Sequence, residues 1–153
     1  MISLLQRVDE ASVQADGKNI ASIDSGLMVL VGIEKNDTEI EAMRMSERLL
    51  NYRIFNDEKE RMNLNVQQIN GSMLLIPQFT LAADTSQGNR PSFSNTGDPK
   101  IAGILFDCLV ATTRKSLQSV VCGKFGADML VKLVNNGPVT FVLEVPNRSI
   151  ISH

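Results

Sequence analysis

The chain has 153 residues, of which 43% are apolar and 21% charged, a composition typical of one soluble globular domain spanning residues 1–153. The formal net charge of −2 excludes a broad phosphate-binding surface but allows contact with one end of a nucleic acid strand. The two cysteines, Cys108 and Cys122, form no C-x-x-C pair, so neither a zinc site nor a disulfide framework is expected, in keeping with a reducing cytoplasm. No apolar run reaches membrane-spanning length, and the first residues do not resemble a signal peptide.

The first half of the chain predicts three strands and a helix. Alternating residues on both sides of Asp16-Gly17 indicate a β-hairpin, and the apolar run at 26–33 indicates a strand buried on both faces. Thr38 and Glu41 form a capping-box pattern that begins a helix. The expected inner stripe of this helix is Ile40, Met43, Glu47 and Leu50. The polar segment "NDEKERMNLNV" that follows is expected to be a loop.

The second half predicts four strands and another helix. Residues 72–81 form a strand interrupted by Pro77, and a long Gly-, Ser- and Asn-rich loop follows at 82–99. Asp98 as N-cap and Pro99 in the first turn begin the second helix. Its expected inner stripe is Ile101, Ile104, Leu105, Cys108 and Leu109. The last predicted strands are "SVVCGKF", "MLVKLVN" and "VTFVLEV". This order predicts an α/β domain with a curled, mostly antiparallel or mixed sheet, because the regular βαβ alternation of a Rossmann fold is absent.

Side chains that could perform acid–base catalysis are scarce. The one histidine, His153, is the last residue, where a chain is normally mobile, so a Ser-His-Asp or Cys-His mechanism is not expected. No metal-binding or phosphate-loop motif occurs, and we expect neither a metal nor a cofactor.

The segment "PQFTLAAD" is the first candidate for a site. Pro77 cannot donate a hydrogen bond to a sheet, so a bulge there could leave the N–H groups of Gln78, Phe79 and Thr80 free to form an oxyanion hole. Gln78 and Thr80 would share one face if the strand continued. The alternative is an edge strand that Pro77 protects from aggregation.

The segment "NNGPVT" is the second candidate. Gly137 permits unusual backbone and close approach of another group, and Pro138 allows a cis peptide bond. The simpler interpretation is a turn before the last strand, with Thr140 as an ordinary strand former. Thr80 or Thr140 as a nucleophile would require a neighbouring base, and none is adjacent in sequence.

Taken together, "PQFTL" and the complete "NNGPVT" resemble the two motifs of the bacterial D-aminoacyl-tRNA deacylases, also called D-tyrosyl-tRNA deacylases. The likeness extends from "MISLLQRVDEASV" to "FGADMLVKLVNNGPVTFVLEV". It implies a barrel-like sheet, a homodimer with active sites at the interface, and hydrolysis of D-aminoacyl-tRNA and of glycyl-tRNA. It also implies a cytoplasmic protein that contacts the aminoacylated tRNA 3′ end and binds neither DNA nor a membrane.

The resemblance also assigns roles to individual residues. Phe79, Thr80 and Gln78 form the implied catalytic element, with the Phe79 N–H as the best oxyanion donor and the terminal 2′-hydroxyl of the tRNA assisting the chemistry. Thr80 matches a threonine proposed as nucleophile in the family, but we expect it to position the ester, because no activating base is visible in the sequence. A cis Gly137–Pro138 bond is implied to enter the partner's pocket and to exclude L side chains. The remaining substrate-binding residues are Pro77, Val139, Thr140 and Met129. Arg53, Arg90 and Lys124 are candidates for phosphate contacts, with surface salt bridges as the alternative.

One residue departs from the family pattern, because the family usually has serine at the position of Pro77. A related animal group has a P-Q-A-T-L element, a trans Gly-Pro bond and tolerance of L-alanine, whereas this chain keeps Phe79 and the full G-P-V-T. We therefore expect a D-specific enzyme. The competing hypotheses are a dimeric RNA-end-binding module without turnover and a threonine-nucleophile hydrolase of another acyl substrate.

Overall fold

The computed structural model describes residues 1–148. These residues form eight strands, two α-helices and one 3-10 turn. In chain order they are β1 (Ile2–Ala15), β2 (Lys18–Ile23), β3 (Gly26–Gly32), α1 (Glu39–Asn51), β4 (Phe55–Asn56), β5 (Met62–Leu64), β6 (Ser72–Pro77), the 3-10 turn (Phe79–Ala82), α2 (Pro99–Arg114), β7 (Val120–Cys122) and β8 (Met129–Glu144).

The long strand β1 is the centre of the sheet. Along one edge it pairs antiparallel with β3 and then with β2, and along the other edge with β8 over almost its whole length. Beyond β3 the sheet continues with β6 and β7, which are parallel to it. The start of β8 comes back to the end of β7, where Met129 Sδ lies 2.9 Å from the point that a Cβ on Gly123 would occupy. The result is a nearly closed, barrel-like mixed sheet in a single α/β domain, as the sequence predicts.

Two apolar clusters lie on opposite sides of this sheet. The larger one packs α1 and α2 against alternate residues of β1, β3 and β6, such as Leu5, Leu27 and Leu75. The smaller one fills the space between the curled strands, with Met28 and Leu74 among its members. The amino terminus is anchored by its buried ammonium group. The Met1 ammonium donates to Asp37 at 2.8 Å and to the Val145 carbonyl at 2.9 Å. Burial raises the pKa of the Asp37 carboxyl despite that ammonium group.

The predicted helix starts are confirmed, but most of the predicted inner stripes are wrong. Thr38 caps α1 in a capping box and Asp98 caps α2, with Pro99 in the first turn. Leu50, Leu105 and Leu109 are buried as expected. However, the exposed fractions of Ile40, Met43, Ile101 and Ile104 are 59%, 47%, 54% and 56%, Glu47 is exposed and Cys108 is half-buried. The buried faces are displaced from the predicted stripes: α1 buries Ala42, Met45, Ser46 and Leu49, and α2 buries Ala102, Phe106 and Thr113 beside Leu105 and Leu109. Ser46 and Thr113 share a hydrogen bond of 2.9 Å between the helices.

Three predicted segments also differ from the structure. "NDEKERMNLNV" contains most of a small hairpin, β4–β5, in which Glu60 has a positive φ of 59°. The strand predicted at 72–81 ends at Pro77. The two last predicted strands are one strand, β8, which passes through Gly137-Pro138 without turning back. Within residues 1–148 no helix is long and apolar enough to cross a membrane.

The capping box of α1 generates a prediction about stability. Burial opposes ionisation of Glu41, but hydrogen bonds from the Thr38 hydroxyl and N–H outweigh it and hold the pKa of Glu41 below 4.5. The stabilisation is therefore present above pH 4.5 and lost as pH falls through the folded-state pKa. We expect Thr38→Ala to cost about 1 kcal/mol at pH 7 and less in acid, measured by urea unfolding. Thr38→Ser keeps the hydroxyl and should behave as wild type, and equal losses in both variants would contradict this account.

Candidate active site

The end of β6 turns sharply into the 3-10 turn at Phe79–Ala82. Pro77 is the last residue of β6, opposite Val31 of β3. The N–H of Gln78 donates to the Val31 carbonyl at 2.8 Å, so the expectation that this N–H is free is wrong. The reason is that pairing with β3 continues one residue beyond Pro77. Gln78 and Thr80 do not alternate on a strand, but the turn brings their side chains together, and Gln78 Nε2 donates to Thr80 Oγ1 at 2.5 Å.

The next two N–H groups are free. Within residues 1–148, neither the N–H of Phe79 nor that of Thr80 has a hydrogen-bond acceptor. Both residues are exposed to solvent, and the first N–H groups of a helical turn have no partner within the turn. The turn therefore presents two adjacent backbone donors, a geometry that can stabilise a developing negative charge on oxygen.

Met129 lies beside this turn. Its Sδ accepts from the Lys124 N–H at 3.3 Å. A Cβ on Gly123 would lie 2.9 Å from that sulfur and 3.5 Å from Cδ of Pro77. The structure thus brings Met129 and the segment 77–80 to one end of the sheet.

Gly137-Pro138 lies at an irregularity within β8. The register between β1 and β8 shifts on both sides of Val8, and there the Gly137–Pro138 peptide bond is cis and Gly137 has a φ of 138°. Both residues are exposed. The simpler interpretation of a turn is therefore wrong, since the chain keeps its direction and pairs with β1 before and after the pair.

Asn135 explains why a polar residue precedes this irregularity. Its Oδ1 accepts from the Val139 N–H at 2.8 Å and its Nδ2 donates to Thr140 Oγ1 at 2.9 Å, so one amide spans the bulge. The Thr140 hydroxyl also accepts from Gln6 at 3.2 Å, and Val139 is only 6% exposed. Both residues thus support the backbone of the Gly-Pro pair.

Arg7 holds the other side of the bulge, and sequence reasoning missed it. Its Nε donates to the Asn136 carbonyl at 3.0 Å and its Nη1 to the Ile54 carbonyl at 2.9 Å. The Asn136 amide in turn donates to Asp9 at 2.7 Å. Arg7 is half-buried on β1, and nothing in its sequence neighbourhood distinguishes it from an ordinary strand residue.

The two groups of residues do not meet within one chain. Arg7 of β1, which donates to the Asn136 carbonyl, pairs with Leu27 of β3. The Gln78 N–H donates to Val31 of the same strand β3. These two positions of β3 are four residues apart, or about 13 Å along a strand. The two groups therefore lie at different positions along the sheet within one chain.

The other predicted residues lie at the edges of these groups. Lys124 is close to Met129, Arg90 is exposed in the loop before α2, and Arg53 binds Asn63 across the β4–β5 hairpin. None of the three forms an ion pair with another residue in the range 1–148. His153 lies outside the described residues. In the described range no group of three or more His, Cys, Asp or Glu side chains is placed to hold a metal ion.

Comparison with known proteins identifies the family of this chain. A family model described as D-Tyr-tRNA(Tyr) deacylase matches residues 4–144. A D-aminoacyl-tRNA deacylase of Dichelobacter nodosus (strain VCS1703A) is 53% identical over 145 residues, which cover 95% of this chain and 100% of the relative. Its namesake in Escherichia coli O1:K1 / APEC is 52% identical over the same shares.

Solved structures share the fold. One titled c-Myc DNA Unwinding Element Binding Protein superposes with a TM-score of 0.91 at 35% identity, over 96% of this chain and 100% of that one. A probable eukaryotic D-amino acid tRNA deacylase superposes with a TM-score of 0.82 at 16% identity, over 94% and 98% of the two chains. The family model and the relatives together confirm the resemblance found in the sequence, and the chain belongs to the D-Tyr-tRNA(Tyr) deacylase family.

Proposed function

We propose that this protein hydrolyses the ester bond of D-aminoacyl-tRNA and releases a free D-amino acid and tRNA. Membership of the family and the names of its relatives support a deacylase. The observation that carries the proposal is the pair of free N–H groups on Phe79 and Thr80, beside a sheet edge that also holds Met129.

The Phe79 N–H is the proposed oxyanion donor, with the Thr80 N–H next to it. When water attacks the ester, the water oxygen bonds to the carbonyl carbon. The carbonyl oxygen then becomes an anion that these donors stabilise. The C–O bond to the ribose then breaks and the ribose 3′ oxygen takes a proton. One such donor typically contributes about 10²–10³-fold in rate. The neighbouring 2′-hydroxyl of the tRNA assists, since an aminoacyl ester is reactive enough to need no strong protein base.

Thr80 has a positioning role in this mechanism. Its hydroxyl accepts from Gln78, and no lysine or histidine contacts it among residues 1–148, so nothing there would activate it as a nucleophile. Gln78 and Thr80 instead fix each other and the turn between them. Pro77 ends β6 and so sets where that turn begins.

Gly137 and Pro138 select the configuration of the amino acid. We place their carbonyl oxygens in the partner subunit's site, where an L side chain would have to lie. A D side chain points elsewhere, and glycine has no side chain to reject, so glycyl-tRNA is also a substrate. The separation of the two motifs within one chain supports this cross-subunit arrangement. Val139 and Thr140 support the pair from within β8.

The surface of β8 supports a homodimer. Among residues 1–148 this strand pairs only with β1, so its other edge is open. It also carries exposed apolar side chains, namely Leu130 (67%), Val134 (46%) and Val142 (54%). An open edge with apolar side chains is a surface that natural proteins normally cover.

A deacylation assay with matched D-tyrosyl-tRNA and L-tyrosyl-tRNA tests the proposal. We expect multiple turnover of the D-ester at a rate at least about a hundredfold above that of the L-ester, because steric exclusion separates the two transition states. Release of the radiolabelled amino acid from each tRNA measures the two rates of hydrolysis. Equal rates, or binding of D-tyrosyl-tRNA without release, would refute the proposal and favour another acyl substrate or a binding module.

Thr80→Ala separates a positioning role from a nucleophilic one. We expect kcat to fall by about tenfold or less, because the backbone N–H donors remain, and we expect no covalent acyl-enzyme in rapid-quench mass spectrometry. Thr80→Ser keeps the hydroxyl and is the matched control. A complete loss in the alanine variant with rescue by serine, together with a trapped acyl-serine, would establish a nucleophile instead.

Gly137→Ala tests the selectivity element. A Cβ there would lie 2.6 Å from Val139 Cγ2 and 3.0 Å from Val139 N, at a φ of +138°, so the pair must shift. We expect a loss of about 1–3 kcal/mol in the free energy of unfolding and a lower ratio of D to L activity. Gly17 also has a positive φ but has open space around it, so Gly17→Ala should lower stability alone. The same D/L ratio in both variants would show that Gly137 only bends β8.

A further inference from the structure

Two aromatic rings lie exposed against each other beside the free N–H groups. Phe79 is 59% and Phe93 45% exposed, and their ring centroids are 5.3 Å apart with an interplanar angle of 51°. The chain has six phenylalanines, one tyrosine and no tryptophan. Because the chain has so few aromatic rings, two that are exposed side by side indicate a surface with a function.

Hydrogen bonds hold the backbone next to both rings. Phe79 directly follows Gln78, whose N–H is held by Val31. On the other side, the Phe93 carbonyl accepts from Thr96 Oγ1 at 2.7 Å. Ser92 and Asp84 exchange two backbone hydrogen bonds of 2.8 and 3.0 Å, which pin the loop before Phe93. Exposed rings on a fixed backbone are typical of a binding surface on a loop.

The surroundings of the rings favour a nucleobase over an aliphatic ligand. Phe93 lies between Ser92 and Ser94 in the sequence, whose hydroxyls are 3.2 Å apart, and Arg90 is exposed three positions earlier in the same loop. Aromatic faces with a polar, cationic border bind single-stranded nucleic acid, because every base offers a π face and its backbone is anionic. The amino acid differs between substrates, whereas the RNA end is common to all of them and can use the same pair of rings each time.

We propose that Phe79 and Phe93 stack on an unpaired nucleobase of the RNA 3′ end, with Phe93 as a binding residue outside the two sequence motifs. This inference rests on the proposed function. Phe79 then serves twice, because its N–H faces the ester oxygen while its ring contacts the base. A base held in this way contributes binding energy for the RNA end, next to the two backbone donors.

Steady-state kinetics with D-tyrosyl-tRNA tests the role of Phe93. Phe93→Leu keeps an apolar side chain but removes the ring, and we expect its KM to rise about tenfold, the usual effect of losing one stacked base, with kcat nearly unchanged. Phe93→Tyr keeps the ring and should restore the KM. An unchanged KM in the leucine variant, or the same rise in the tyrosine variant, would overturn the inference. Unfolding curves check the fold, and Phe93→Met replaces the leucine variant if that one does not fold.

Fluorescence detects the stacking without any reaction. The probe is an acceptor-stem RNA hairpin that carries no amino acid and has 2-aminopurine as its last or its penultimate nucleotide. We expect wild type and Phe93→Tyr to quench one of these two probes, and Phe93→Leu to quench neither. No quenching by wild type, or equal quenching by the leucine variant, would contradict stacking.

The two experiments also separate the two proposals. If wild type does not hydrolyse D-tyrosyl-tRNA, the proposed function fails, while quenching that depends on the Phe93 ring still establishes stacking. If wild type hydrolyses the ester but Phe93→Leu matches it in KM and in quenching, only the stacking inference fails.

Discussion

The ladder between β1 and β8 is the interaction on which the rest of the molecule depends. β1 uses both edges along most of its length, so it joins β2 and β3 to β8 and sets the curvature of the sheet. The ladder has to tolerate one interruption, at Gly137-Pro138, where proline offers no N–H and the register slips around Val8. Asn135 replaces the lost strand pairing with its own amide. A sheet of this kind can present a backbone irregularity to solvent and still keep it in one place.

The proposed oxyanion donors are also backbone groups, and they lie at the other end of the sheet. β6 runs beside β3 until the Gln78 N–H is bound, and the turn leaves the next two N–H groups without an acceptor among residues 1–148. Their direction is set by the sheet and does not depend on a side-chain rotamer. Backbone donors do not titrate, so such a site needs no tuned pKa. This fits an ester substrate whose carbonyl is already reactive, and it explains how a chain can act with a single histidine at its far end.

Local chemistry was predictable from the sequence, and long-range packing was not. The capping box at Thr38, the proline in the first turn of α2 and the hairpin at Asp16-Gly17 depend on neighbours within four residues. The inward faces of α1 and α2 depend on the helices' contact with each other, where the hydroxyls of Ser46 and Thr113 meet. Each helix carries apolar residues on more than one face, so periodicity alone did not separate Ile40 and Ile104, which are exposed, from Met45 and Phe106, which are buried. In the same way, the two halves of β8 looked like separate strands, because only β1 can hold such a sequence straight across Gly-Pro.

The candidate site shows the same division. Pro77 and Gly137-Pro138 are visible in the sequence because they restrict the backbone itself, and the family likeness gave them a role. Arg7 and Phe93 act only through residues far away in the chain, so no local pattern distinguishes them from an ordinary strand residue and an ordinary loop residue. The proposed selection by handedness rests on this arrangement. A carbonyl oxygen belongs to every residue, so the excluding group cannot be lost by side-chain substitution. It can only be displaced through the glycine that permits its φ, or through Asn135 and Arg7, which hold the strand around it.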